Sequence, residues 1–252
     1  MLTDGTEAWL SGFMLVFTRV GAVVALLPGF GERMIPARVK LGVAVAFSVV
    51  TWSLLGGGTA PAPERPFYLM MVSEAGVGLL VGLAFRLMVI ALQLAGSIAS
   101  QSTALAQIFG AGATPDPMPA IGNILMLAGG TLAVTSGLHI KAALAMARSY
   151  EILPMGLPVP AADIATWGTA RVAQTFALGF SLAAPFVIAS FAYNVALGAI
   201  NRAMPQLMVA FVGAPAITAA GLLILMLAAP TILTFWNVRL DLILADPLAM
   251  PR

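Results

Sequence analysis

The sequence predicts an all-α integral membrane protein with about six hydrophobic segments. Three observations carry this. Hydrophobic residues make up 60% of the 252 residues against 9% charged, and the mean hydropathy is +1.00. Segments 9–30, 67–94, 121–138, 173–197 and 207–236 each reach or exceed the roughly 20 residues that a helix needs to cross hydrocarbon. Between the segments lie clusters of glycine and proline that end helices.

The same composition excludes other classes. A soluble chain of this length would need roughly a quarter of its residues charged, and that surface is missing. Without cysteine there are no disulfides, thiolate metal sites or cysteine nucleophiles. One histidine is too few for an ordinary zinc site, and no Gly-x-Ser-x-Gly elbow is present. No catalytic constellation, cofactor or metal site is expected, and a net charge of +2 gives no reason to invoke nucleic acid.

The elements follow in order. Asp4 and Glu7 stand where a secretory signal carries its basic region, and Arg19 interrupts the first apolar run. Segment 9–30 is therefore expected to be retained as a first helix. It runs into Pro28-Gly-Phe-Gly-Glu-Arg-Met-Ile-Pro36, whose prolines and glycines stop it. A shorter run, 41–55, completes a helical hairpin before the connector Gly56-Gly-Gly-Thr-Ala-Pro-Ala-Pro63.

The third segment extends from Phe67 to about Ser100 and carries Gly76, Gly78 and Gly82, then Gln93, Gly96, Ser97, Ser100 and Gln101. Small residues let helices approach closely, and polar ones in lipid need partners within protein. Gly78-Leu-Leu-Val-Gly82 fits a small-xxx-small contact, a pattern that so glycine-rich a chain also shows by chance. Residues 101–119 contain Gly110-Ala-Gly-Ala-Thr-Pro-Asp-Pro-Met-Pro119, which lies outside the bilayer or lines something, because irregular backbone at membrane depth must be buried in protein or face water. Residues 139–171 read as the most polar connector. Pro185, Pro205 and Pro215 are expected to break the last two segments.

Charge along the chain conflicts with simple alternation. If Arg33, Arg38 and Lys40 mark a cytoplasmic loop, the loop 101–120, with no basic residue, also falls inside, and Lys141 with Arg148 falls outside. That opposes the positive-inside rule. The conflict suggests that region 67–120 folds back.

Arg19, Glu74 and Arg86 are the intramembrane ionisable residues, and charge at mid-bilayer costs several kcal/mol unless paired or hydrated. A structural ion pair of Glu74 with Arg19 or with Arg86 is the leading reading, and a proton or ion pathway the other. Gln93 and Gln101 join them as candidate intramembrane polar contacts. His139, beside Lys141 at the end of an apolar run, reads as an interfacial, solvated residue.

Several motifs together resemble the FliR family, the flagellar type III export component with virulence-secretion relatives. They are Phe17-Thr-Arg19-Val-Gly-Ala, Pro28-Gly-Phe-Gly-Glu with Pro36-Ala-Arg-Val-Lys-Leu41, Glu74-Ala-Gly-Val-Gly-Leu, Gln93-Leu-Ala-Gly96 and Gly137-Leu-His139. Leu153-Pro-Met-Gly156, Asn201-Arg-Ala-Met-Pro-Gln-Leu207 and Phe211-Val-Gly-Ala-Pro215 complete them, in order over nearly the whole chain. Each is weak alone, but Pro-Gly-Phe-Gly-Glu followed by Arg-Ala-x-Pro-Gln is rather specific.

The resemblance implies a single membrane-embedded domain over 1–252 made of bent helical hairpins. It implies a core subunit of the export gate in the bacterial inner membrane at the flagellar basal body, a conduit and not an enzyme. FliP-like and FliQ-like subunits, FlhB and FlhA are the implied partners, with membrane lipid, and exported flagellar proteins are the implied cargo. Pro28, Gly29, Gly31, Glu32, Arg202, Pro205 and Gln206 become candidate subunit-packing turns. Gln107, Ile108, Phe109, Gly110, Gly112, Pro115 and Pro117 become a candidate channel plug, although 108–116 departs somewhat from the family's more regular glycine and hydrophobic pattern. A small secondary transporter with Glu74 or Arg86 between broken helices is the alternative.

Overall fold

A computed structural model describes residues 2–31, 35–57, 65–103, 120–203 and 209–250. Among them the chain is all-helical: α1 Leu2–Leu26, α2 Ala37–Leu54, α3 Phe67–Ser102, α4 Ala120–Thr135, α5 Leu138–Ile152, α6 Ala161–Ala203 and α7 Val209–Ala245. Five helices are long and apolar enough to cross a membrane, and the α4/α5 pair, bent by 73°, makes a sixth candidate.

Proline and glycine place the boundaries. Three helices start immediately after a proline (Pro36, Pro66, Pro160), whose carbonyl accepts the first backbone N–H groups of α2, α3 and α6. A residue with no N–H of its own and a fixed φ suits that position. Helix α1 ends in a tight turn in which Gly31 N–H donates to Leu27 O at 2.7 Å. Gly137, with φ of 81°, separates α4 from α5 and makes their bend.

The structure corrects two sequence expectations, while the fold-back expected in region 67–120 falls outside the described residues: α3 is continuous over Phe67–Ser102, residues 104–119 are not described, and a bend of 73° lies between Thr135 and Leu138. Residues 139–171 are not a connector but hold α5 and the start of α6. Leu138, Ala142, Ala145, Met146 and Ser149 are buried at helical spacing, and this apolar stripe outweighs the scattered charges. Pro185 does not break α6, which runs through it. A proline inside a membrane helix is tolerated where neighbouring groups satisfy the freed carbonyl.

The helices divide into two compact units. One comprises residues 1–88, 133–173 and 238–252. In it α2 packs on α1 and on α5. Trp9 and Phe13 stack at 5.6 Å, and Trp52 meets both rings edge-on at 6.1 and 6.4 Å. The start of α1 therefore lies beside the end of α2 in an antiparallel hairpin. Helix α3 runs parallel to α1 and touches it through Gly78 and Gly82: a β-carbon on Gly78 would strike the Arg19 carbonyl, and one on Gly82 would stand 2.9 Å from Leu26 Cβ.

The second unit comprises 89–132 and 174–237. The end of α3 and α4 are antiparallel, with Gly96 so close to the Gly122 backbone that any side chain would collide. Gln93 Nε2 donates to Met126 Sδ at 3.2 Å one turn further along. Leu92, Ile121, Leu125, Phe186 and Trp236 form its buried core.

Candidate functional site

The first unit encloses a buried ionic clasp. Arg19 in α1 and Glu74 in α3 are both 0% exposed. The α1/α3 approach at Gly78 sets them opposite each other, one helical turn from the glycine. Arg19 Nε donates to Glu74 Oε2 at 2.6 Å and Nη2 to Oε1 at 3.0 Å, a bidentate pair. Such a fork holds a carboxylate in one orientation.

The remaining valences go to α5 and the turn that follows it. Arg19 Nη1 donates to Ser149 Oγ at 3.2 Å, and Nη1 and Nη2 both donate to the Leu153 carbonyl at 3.0 Å. Glu74 Oε1 accepts the Gly156 N–H at 2.7 Å, and Oε2 accepts the Tyr150 hydroxyl at 3.3 Å. The guanidinium carbon lies 3.7 Å from the Tyr150 ring centroid, a cation–π contact. The Ser149 hydroxyl in turn donates a hydrogen bond to the Met146 carbonyl at 2.6 Å. All five guanidinium donors face acceptors or the pair, so the charges are satisfied inside the protein, as burial demands.

Gly156 closes the turn with φ of 77°, and its carbonyl accepts from Arg65 and Ser73, each at 3.4 Å. A side chain there would need a left-handed backbone and would meet Met70 Sδ at 2.9 Å. The clasp thus ties α1, α3, α5 and the 153–156 turn together. Chemically it is a structural lock, with no face open to a ligand.

The other candidate residues fall elsewhere. Arg86 is half-buried in α3, 12 residues beyond Glu74 and so about 18 Å along the axis; Arg19 is the guanidinium on Glu74. Gln93 bonds Met126 in the second unit, and Gln101 is exposed in the last turn of α3. Pro28, Gly29 and Gly31 form the turn after α1, where Gly29 has φ of 81° and the Gly31 carbonyl accepts from Lys40 Nζ at 3.1 Å. Arg202 is exposed in the last turn of α6. His139 is exposed at the start of α5. Glu32, Pro205 and Gln206, and the plug candidates Gln107, Ile108, Phe109, Gly110, Gly112, Pro115 and Pro117, lie outside the described residues. Among the described residues no group of three or more His, Asp or Glu side chains is placed to hold a metal ion.

Sequence reasoning missed Ser149, Tyr150 and the backbone of Leu153 and Gly156 as members of the clasp. Leu153-Pro-Met-Gly156 was visible as a motif, and a left-handed glycine behind a proline is the local sign of a turn presenting its N–H.

The profile of the family described as "Bacterial export proteins, family 1" matches residues 10–243. The chain is 34% identical over 230 residues to the flagellar biosynthetic protein FliR of Caulobacter vibrioides, covering 89% of this chain and 91% of that protein. The chain belongs to the FliR family of bacterial export proteins. More distant FliR relatives include those of Escherichia coli, 26% identical over 93% of this chain and 92% of its own length, and of Bacillus subtilis, 27% identical over 81% and 80%. The FliR-family chain is a membrane protein and an export component, not an enzyme.

Proposed function

We propose that this chain is a core subunit of the flagellar type III protein export gate in the bacterial inner membrane, at the flagellar basal body. It acts as one membrane-embedded domain over 1–252. With FliP-like and FliQ-like subunits, and adjoined by FlhB and FlhA, it forms the passage through which unfolded flagellar proteins leave the cell. Family membership supports the export role, and the length of α6 supports the assembly.

Ile164, Phe176, Phe180, Ile188, Phe191, Val195 and Ile200 are exposed along α6, and Phe191 is 70% exposed. From 164 to 200 this apolar series runs about 54 Å, against a hydrocarbon core of about 30 Å. Fitting it within lipid needs a tilt of about 56°, beyond the 0–40° range of membrane helices. A series longer than the bilayer is thick supports a helix that is covered in part by protein and not by lipid alone. This is the observation that carries the reading. The clasp, closed and fully satisfied, offers no central substrate site of the kind a small secondary transporter would need.

The tagged chain, extracted in mild detergent from membranes of its own cells, is expected to copurify with FliP-like and FliQ-like subunits as a single copy in a larger ring. A folded, monodisperse chain that moves a small solute by itself overturns the reading. Residues 107–117 serve as the closed-state plug, since a glycine- and proline-rich segment fills space and moves aside without unfolding a helix. Deleting 110–114 is then expected to make the closed gate leak small solutes; an unchanged permeability barrier removes the plug assignment.

A further inference from the structure

Arg19 and Arg171 are both buried in the first unit, and they are satisfied in different ways. Arg19 meets a carboxylate fixed in a helix. Arg171, in α6, donates from Nη2 to two neutral carbonyls, of Pro247 at 3.3 Å and of Ala249 at 2.9 Å. Both carbonyls belong to the turn 246–249 that follows α7, beyond the last helical N–H that could bind them.

The turn and the helix before it are fastened separately. Leu240, Ile243 and Leu244 of α7 are buried, Asp241 Oδ1 accepts from Lys141 Nζ at 2.6 Å, and the Ala245 carbonyl accepts from Arg148 Nη1 at 3.5 Å. The two polar contacts come from α5 and, with the apolar burial, hold the end of α7 without help from the turn. Within the turn, the Ala249 N–H donates to Asp246 Oδ1 at 3.0 Å. Its polar anchor to the rest of the unit is Arg171, reinforced by attraction from the Asp246 carboxylate.

The anchor sits beside an incompletely satisfied indole. Arg171 Cζ lies 5.7 Å from the ring of Trp167, one helical turn earlier on α6. The Trp167 indole N–H is buried and meets no acceptor among the described residues. A buried donor without a partner carries a cost that water removes. Arg148 and Asp246 are exposed, and Lys141 and Asp241 partly so, so this end of the unit suits water, where such charges are cheapest. Lifting the turn breaks two hydrogen bonds and wets the indole, while unfolding α7 breaks its buried contacts as well.

We infer that residues 246–249 form a detachable strap. Anchored, it keeps the Arg171 cation buried; released, it gives water access to Arg171 and Trp167 while α7 keeps its place. The inference is independent of the export-gate assignment.

The chain has no cysteine, so Ala249→Cys places a single thiol at a half-buried position of the strap. Its modification by N-ethylmaleimide is timed in the full chain in mild detergent, relative to the same variant unfolded in dodecyl sulfate. Adding Arg171→Met is expected to raise that relative rate about tenfold, the scale of one hydrogen bond to a charged group, with the unfolding temperature of the helices unchanged. Loss of a neighbouring cation by itself makes a thiol less reactive, so the expected rise has the opposite sign to a purely electrostatic effect. Asp246→Ala, at an exposed position, removes the bond within the strap and is expected to speed labelling too, which keeps the test decisive where Arg171→Met does not fold. Unchanged labelling in folded Arg171→Met, unchanged labelling in Asp246→Ala, or a rise that comes only with unfolding of the helices each overturns the strap.

Discussion

The N–H of Gly156 donates to Glu74 Oε1 at 2.7 Å across 82 residues of sequence. A backbone amide in a turn thereby ends on a carboxylate buried in α3, on the side of the same carboxylate where Arg19 Nη2 binds. Glu74 is satisfied by two helices and a turn together. Its role is to fix where that turn sits, and with it the root of α6, which begins five residues later at Ala161.

Removing one charge of the clasp leaves the other buried and unpaired. Glu74→Gln and Arg19→Met are each expected to destabilise the first unit by about 3–5 kcal/mol. Thermal unfolding of the purified chain in detergent, or of its complex, reads this. The charge swap R19E with E74R is not expected to rescue, because it points a donor at the Gly156 N–H and an acceptor at the Leu153 carbonyl. Recovery in the swap would mean that the pair acts by charge alone and that the turn is not held by it.

Gly156→Ala tests the turn. Its β-carbon requires φ of 77° and meets the Met70 thioether at 2.9 Å, so a loss of about 1–3 kcal/mol is expected. Adding Met70→Ala removes the collision and leaves the backbone strain, so the double variant is expected to remain less stable than Met70→Ala alone. Equal stability of these two would show that the left-handed backbone carries no strain.

The candidate spans were legible because the length and apolarity that mark them are read directly from the sequence. Arg19 and Glu74 stood out because ionisable residues in such segments are rare. Which arginine meets Glu74 was not legible, since Arg19 and Arg86 differ in helix phase and depth, and both are set by packing at Gly78 and Gly82. Helix α5 was hidden by Lys141, Arg148 and Glu151, whose charges mask the buried spacing from Leu138 to Ser149. Lys141 is partly exposed and pairs with Asp241 at 2.6 Å near the end of α7. A basic residue engaged by an acidic one carries less information about sidedness than an isolated one.

Tyr150 separates the two kinds of contact in the clasp. Tyr150→Phe loses the 3.3 Å bond to Glu74 but keeps a ring over Arg19, and a loss of about 1 kcal/mol is expected. Tyr150→Leu removes the ring as well, adding about 2 kcal/mol for a desolvated cation–π contact. If the two variants unfold at the same temperature, the ring contributes nothing electrostatic.

Neighbouring glycines in α3 give opposite expectations. Gly76 has nothing within 4 Å of where a β-carbon would stand, whereas one on Gly78 would strike the Arg19 carbonyl and stand 2.8 Å from Ala22 Cβ. Gly76→Ala is expected to be neutral or to stabilise α3 by up to about 1 kcal/mol, through helix propensity. Gly78→Ala forces α1 away from α3, with an expected loss of about 1–3 kcal/mol from overpacking. Because that shift carries Arg19 off Glu74, Gly78→Ala and Glu74→Gln are also expected to be less than additive. Limited proteolysis of the membrane-embedded chain, alongside unfolding temperatures, measures each variant and the pair. Fully additive losses would mean that the α1/α3 contact and the ion pair are independent, contrary to the geometry that puts the carbonyl of Arg19 against Gly78 and its side chain on Glu74.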